Sequence, residues 1–270
     1  MRGTSQASHD AVLREFELVL SAGGKDGLSI GDQLFSVVDA LDSSGSLRRA
    51  LTDPARPGTD KGDLVTSLFG KLDVRVQDIL VSLVTARWSE EQDLAQSIED
   101  AGVAAVLAYA ESAGSLVEVE EQLFRVERLL SGERELLVAM SNRSATKEAR
   151  LALLDGVLGG KLTPVSQALL TRAVGMPRER RLVPALEAFI DAAAERRNRS
   201  VANVTAAVEL SAAQRQRLAG ILSDAYGRDV QINVAVDPEV IGGMRVQVGS
   251  EVVDGTILAR LDQARRRLVG

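Results

Sequence analysis

From about residue 10 to 198 the apolar side chains recur three and four positions apart, the spacing of amphipathic helices. Val12, Leu13, Phe16, Val19 and Leu20 form one such stripe, and Leu123, Val126, Leu129 and Leu130 form another. Ser89 with Gln92 three residues on has the form of a capping box and predicts a long helix running to about Ala113. Pro54, Pro57, Gly58, Gly70, Gly159, Gly160 and Pro164 cut the remainder into short helices of a bundle. At about Val201 the period shortens to two. Ala202, Val204, Ala206 and Val208 share one face, as do Val230, Ile232, Val234 and Val236, and then Met244, Val246 and Val248. Between the first two strands Ser211 and Gln214 repeat the capping-box pattern, ahead of a helix with Leu218, Ile221, Leu222 and Ala225 on its buried side and Gly227 at its end. Gly249-Ser250 is a two-residue hairpin signal leading into the short strand "EVV". Asp254 is placed to cap a last helix with Ile257, Leu261, Ala264 and Leu268 inside.

The helical part contains a repeat. With one constant shift Gln33, Leu34, Phe35 and Val37 fall on Gln122, Leu123, Phe124 and Val126, and Leu41, Leu47, Ala50, Leu64 and Gly70 fall on Leu130, Leu136, Ala139, Leu153 and Gly159. One inserted glycine then carries Lys71, Leu72, Gln77, Leu80 and Val84 onto Lys161, Leu162, Gln167, Leu170 and Val174. Leucines coincide between any two amphipathic helices, so the shared Gly-Lys-Leu after a helix carries more of the weight. The expected fold is therefore mainly α: two tandem small helical bundles, 1–97 and 98–198, followed by a small α+β module, 199–270, in the order strand–helix–strand–strand–strand–helix. The stretch "AERRNRS" at 194–200 is the expected joint.

Composition narrows the function. The chain has 270 residues, 45% of them hydrophobic but only 3% aromatic, which suits close-packed Ala/Leu helices. A net charge of −6 with both signs interspersed argues against general attraction to nucleic acid or anionic lipid. The absence of cysteine removes disulfides, thiol nucleophiles and cysteine-bound metal. The apolar run "VAAVLAYA" at 103–110 is far short of a membrane span, and the first residues lack a secretory apolar core. Without a secretory route the triplets at Asn142, Asn198 and Asn203 are coincidental matches to a glycosylation signal.

The candidate catalytic sites fail on parts. His9 is the only histidine and is expected to be solvated in a frayed N-terminus. "SATK" at 144–147 has Ser-x-x-Lys spacing without companion motifs, so Ser144 or Thr146 reads as a helix cap. "GVLGGKLT" at 156–163 approaches a phosphate-binding loop, but Asp155 stands where glycine is needed and Leu162 where a hydroxyl is needed. In "DPEVIGG" at 237–243, Asp237, Glu239 and Asp254 are too few oxygen ligands for magnesium or calcium. Asp237 and Pro238 break the incoming strand, and Gly242 and Gly243 supply backbone freedom or a close approach. The terminal module lacks stacking aromatics for RNA, with Tyr226 its only aromatic residue, and "RRR" at 265–267 suits a helix C-terminus. No metal or cofactor is expected.

The strings "VTAAVELSAAQRQRLAGIL", "GRDVQINVAVDPEVIGGMRVQVGSEVVDGTI" and "LDQARRRL" closely resemble the C-terminal module of the delta subunit of F-type ATP synthases, called the oligomycin-sensitivity-conferring protein in mitochondria. Asp237, Pro238, Gly242, Gly243, Gly249, Asp254 and Gly255 are the signature positions. The likeness continues upstream through "LAYAESAGSLVEVEEQLFRVERLLSGERELLVAMS" and covers about residues 98–270. Residues 1–97 depart from the usual length and resemble a second copy of the helical domain, a layout of actinobacterial members. The resemblance implies a non-catalytic stator subunit in the peripheral stalk, at the cytoplasmic face of the plasma membrane. It would hold N-terminal segments of the alpha subunits in its helical domain and the b-subunit stalk at its C-terminal module, meeting the membrane only through the complex. The implied groove lies between helices at about 100–113 and 164–176, with Ala105, Tyr109, Leu169 and Ala173 as candidate contacts. The extra copy is expected to offer a second helix-binding groove or to replace part of a stalk helix. An RNA- or nucleotide-binding protein built on the α+β module is the alternative.

Overall fold

A computed structural model describes the chain except residues 2, 178–180, 200, 227–229, 238–239, 241, 249–250 and 256–270. The chain divides into two compact units, Met1–Ala193 and Ala194–Gly270.

The first unit is helical throughout. Its elements are α1 (Thr4–Gly23), a 3-10 turn (Gly24–Asp26), α2 (Gly27–Ser43), α3 (Gly45–Thr52), α4 (Gly58–Phe69), α5 (Val74–Thr85), α6 (Glu91–Ser112), α7 (Leu116–Gly132), α8 (Arg134–Met140), α9 (Lys147–Leu158) and α10 (Pro164–Gly175). The last helix, α11 (Leu182–Arg199), runs on into the second unit. Several starts are fixed by side chains that accept from backbone N–H groups left over in the first turn. Ser44 accepts from Leu47, Asp73 from Arg75, Thr146 from Ala149, and Thr163 from Ser166 with Pro164 behind it. Ser89 does not cap α6: the helix starts two residues later, and the Ser89 N–H donates to the buried Ser5 hydroxyl of α1 at 2.8 Å. A tertiary partner has won over the local cap. His9 is not in a frayed terminus either. It lies within α1, half-buried, with Nδ1 3.1 Å from the Ser97 hydroxyl of α6.

Two hydrophobic cores run through this unit. One gathers Phe16 and Leu20 of α1, Ile30, Leu34, Val38 and Leu41 of α2, and Val76, Leu80 and Leu83 of α5. The other gathers Val119, Leu123, Val126 and Leu130 of α7, Leu154 of α9, Leu169 and Leu170 of α10, and Leu182, Leu186 and Phe189 of α11. Helix α6 serves both. Leu94, Ile98, Ala101, Ala105 and Ala108 face the first core, whereas Val103, Val106, Leu107 and Ala110 face the second. Each set keeps helical spacing, so α6 carries two stripes where an ordinary surface helix carries one. The 97/98 division drawn from the repeat falls inside this helix.

Equivalent positions in α2–α5 and α7–α10 make equivalent bonds. The Gln33 side chain accepts from the N–H of Asp73, the residue before α5, at 2.7 Å. Gln122 accepts from the N–H of Thr163, the residue before α10, at 2.9 Å. Lys61 and Arg150, equivalent under the same shift, are both buried cations. Arg150 donates to the carbonyls of Val174 and Gly175, satisfying the end of α10. Burial pushes the Lys61 amine below its ordinary range.

The second unit contains β1 (Val201–Ala206), α12 (Ala212–Tyr226), β2 (Gln231–Val236), β3 (Met244–Val248) and β4 (Glu251–Asp254), in one sheet of order β2-β1-β3-β4. β1 runs parallel to β2 and antiparallel to β3, which pairs antiparallel with β4. Ala202, Val204, Ala206, Val230, Val246 and Val248 form its core, with Leu218, Leu222 and Tyr226 packed on it. Both arms of the Ser211–Gln214 capping box are made: Ser211 N–H donates to Gln214 Oε1 at 2.9 Å and Gln214 N–H to Ser211 Oγ at 3.3 Å. Val208, Val236, Ile221 and Ala225 are exposed rather than inward-facing, because β1 and β2 stop at 206 and 236 and α12 packs through Leu218 and Leu222. Gly242 and Gly243 both have positive φ, 65° and 82°, the left-handed conformation that a side chain disfavours. Asp254 ends β4 opposite Arg245, and Gly255 N–H donates to Met244 O at 3.0 Å. Pro238, Gly227, Gly249 and the final helix expected after Asp254 lie outside the described residues.

Candidate interaction site

The first unit is held across its middle by a close helix crossing. Gly27 and Gly31 of α2 lie against the backbone of α6, where a Cβ on Gly27 would collide with the Ala105 carbonyl and one on Gly31 with Val106. From the other side Gly102 leaves room for the Phe35 ring, which a Cβ there would meet at 2.5 Å. Phe35, though on α2, is thereby buried in the second core.

Arg172 of α10 closes this crossing. Its Nε donates to Glu99 at 2.9 Å, Nη2 to Glu99 at 2.5 Å, and Nη1 to Asp39 of α2 at 2.5 Å. The guanidinium also lies over the Phe35 ring, 4.9 Å from its centroid. Burial works against its charge, but the hydrogen bonds and charge of Glu99 and Asp39 outweigh burial and hold it protonated. Charge in such a place persists only when fully paired, and here one cation joins three helices.

Beside this cluster is a cleft of about 270 Å³. Gln92, Asp93 and Gln96 of α6, Arg172, Ala173 and Met176 near the end of α10, and Ala185 and Phe189 of α11 line it. Glu90, Asp93, Asp100 and the buried Glu99 give its lining acidic groups, and Ala173, Met176 and Phe189 give it apolar ones.

The four candidate contact residues are distributed around this junction. Ala173 lines the cleft. Tyr109 is half-buried against the second core. Leu169 is wholly inside the second core, and Ala105 wholly inside the first, beneath α2. The sequence reading passed over Glu99, Arg172, Asp39 and the aromatic floor residue Phe189. The available signal was a charged residue inside an apolar helical stripe: Arg172 follows Leu169 by three, and Glu99 stands between Ile98 and Ala101.

Among the described residues no group of three or more His, Asp or Glu side chains could hold a metal ion. "GVLGGKLT" is the end of α9, a turn and the Thr163 cap of α10. No described helix is long and apolar enough to cross a membrane.

These features define a class of molecule: a multi-helix scaffold, cross-braced by buried charge, with a small α+β module appended. The family model described as ATP synthase delta (OSCP) subunit matches residues 103–268. ATP synthase subunit delta of Beutenbergia cavernae is 50% identical over 271 aligned residues, covering 100% of both chains. ATP synthase subunit delta of Streptomyces avermitilis is 42% identical over 267, covering 98% of each. A chain of the Toxoplasma gondii mitochondrial ATP synthase hexamer aligns with 62% of this chain and 95% of its own length at 18% identity and a TM-score of 0.33, too slight a likeness to add to the sequence relationship. The chain belongs to the ATP synthase delta (OSCP) subunit family. Its role is that of a peripheral-stalk subunit of the synthase, and the RNA- or nucleotide-binding alternative is not favoured.

Proposed function

We propose that the chain is a non-catalytic connector that keeps the catalytic head of the synthase from turning with the rotor. In this reading the helical unit holds N-terminal segments of the alpha subunits, the C-terminal module meets the b-subunit stalk, and the chain sits at the cytoplasmic face of the plasma membrane. Residues 1–97 and 98–198 act as two tandem bundles sharing α6, and 199–270 as the stalk-facing module.

The observation that carries the first contact is the cleft between α6, α10 and α11. A lining that sets apolar side chains beside polar ones suits the apolar stripe of a partner helix. Ala173 and Phe189 form the contact surface; Tyr109, Ala105 and Leu169 belong to the packing of the helices behind it. Asp237, Pro238, Gly242, Gly243, Gly249, Asp254 and Gly255 set the turns of the stalk-facing module, and two modest contacts in one chain bind far more tightly than either alone.

The test is binding of a synthetic peptide of the alpha-subunit N-terminal segment to the full chain, measured by calorimetry. Ala173→Trp fills the cleft and is expected to weaken binding about tenfold or more, roughly 1.4 kcal/mol. Ala173 is also buried in the second core, so overpacking lowers the melting temperature as well and binding is compared well below it. Equal binding by both proteins would place the alpha segment elsewhere. The purified chain is also expected to turn over no ATP.

A further inference from the structure

The two copies use one helix face differently, and the difference points to a second docking surface. On α2 the outward face carries Leu28, Phe35 and Asp39, and this face is covered. Leu28 and Phe35 pack into the second core, and Asp39 meets Arg172. The repeat places Val117, Phe124 and Arg128 of α7 at the same three positions. There the face is bare: Val117 is 57% exposed and Phe124 50% exposed. The guanidinium of Arg128, one turn along its own helix, lies 6.0 Å from the Phe124 ring centroid, where Phe35 has the guanidinium of another helix. A large aromatic at half exposure beside a second exposed aliphatic is an unusual use of surface on a helix whose other face is well buried.

We infer that the Val117–Phe124–Arg128 face of α7 docks a helical surface of another synthase subunit, one that presents glycine opposite Phe124 and a carboxylate opposite Arg128. The covered copy supplies the template. Phe35 needs a residue without a side chain beneath its ring, which Gly102 provides. Asp39 needs the opposite charge, which Arg172 provides. Where the repeat has Asp39 on α2 it has Arg128 on α7, so the partner's charge is reversed with it. Copy 1 is thus satisfied within the chain, and copy 2 offers the equivalent face outward.

The choice of the synthase as the source of the partner rests on the function proposed above. The experiment uses the full chain and synthase complex depleted of this subunit, with a photo-reactive phenylalanine analogue at position 124. The expected cross-link falls at one place, on a helix that presents glycine there, with a carboxylate within reach of Arg128. Arg128→Glu is expected to cut its yield about tenfold, and reversing the partner carboxylate to lysine to restore it. Phe124→Ala is expected to weaken rebinding without lowering the melting temperature of the free chain. If the wild-type chain rebinds but both variants rebind equally well, or the cross-links scatter over several helices, the α7 surface is not an interface. If the wild-type chain does not rebind at all, the stator reading falls and this inference with it.

Discussion

Helices α2 and α7 descend from the same pattern yet meet different surroundings. Both use a glutamine to hold the N–H before a later helix, Gln33 for α5 and Gln122 for α10. Gly27 and Gly31 of α2 let it press against α6, whereas the equivalent positions of α7 are Leu116 and Glu120. The close approach at Gly27 and Gly31 thus has no counterpart on α7, where both positions carry side chains. The lesson is that a duplicated bundle can be made into a single body by sharing one helix and removing the Cβ atoms from a crossing, while the shared template survives in the hydrogen bonds that frame each copy.

The largest way to break this contrast is to remove the cation that joins the copies. Arg172→Met leaves the buried Glu99 without its guanidinium and is expected to cost about 3–5 kcal/mol, measured by urea unfolding at neutral pH. Gly31→Leu attacks the crossing directly and is expected to cost about 1–3 kcal/mol. Glu120→Ala at the equivalent place on α7 is expected to stay within about 0.5 kcal/mol; equal losses at the two positions would contradict the asymmetry. Gln33→Ala and Gln122→Ala test the shared part. Each is expected to cost about 1 kcal/mol, and a loss at only one would mean that the copies are framed differently.

The smallest effect is one of pH. Asp73 sits where copy 2 has Thr163, and its hydrogen bonds from Arg75 lower its pKa from 3.8 to about 2. A carboxyl with a depressed folded pKa stabilises the fold above its unfolded value, and that contribution is lost as pH falls through the folded value. The wild type is therefore expected to lose stability between about pH 4 and pH 2 that Asp73→Thr does not lose, as read from thermal unfolding across that range. Thr163 cannot titrate there, so this acid sensitivity belongs to the first copy alone.

Much of this fold was legible because local signals and packing agreed. The Ser211–Gln214 box formed as written, Thr146 caps α9, and the alternation through 202–206 and 244–248 matches the buried face of the sheet. Ser89–Gln92 has the same pattern and no cap, because Ser5 of a distant helix takes the Ser89 N–H. A capping box reports only what its own residues can do. The double role of α6 was hidden for a related reason: its small side chains satisfy two apolar stripes at once, so neither stands out. The interaction site was the least legible part. A groove can be placed between two helices by repeat and resemblance, but which of their residues line it depends on where a third helix lies. Here α2 covers Ala105, and Phe189 of α11 enters the cleft from outside the pair.

The most direct test of the connector role is to add the full chain back to synthase complex stripped of this subunit and follow proton-driven ATP synthesis in sealed vesicles. The expected result is restored synthesis by wild type, and weakened rebinding and poor restoration by Ala173→Trp, with no ATP turnover by the chain alone. Full synthesis without the chain, or ATP turnover by the purified chain itself, would contradict it.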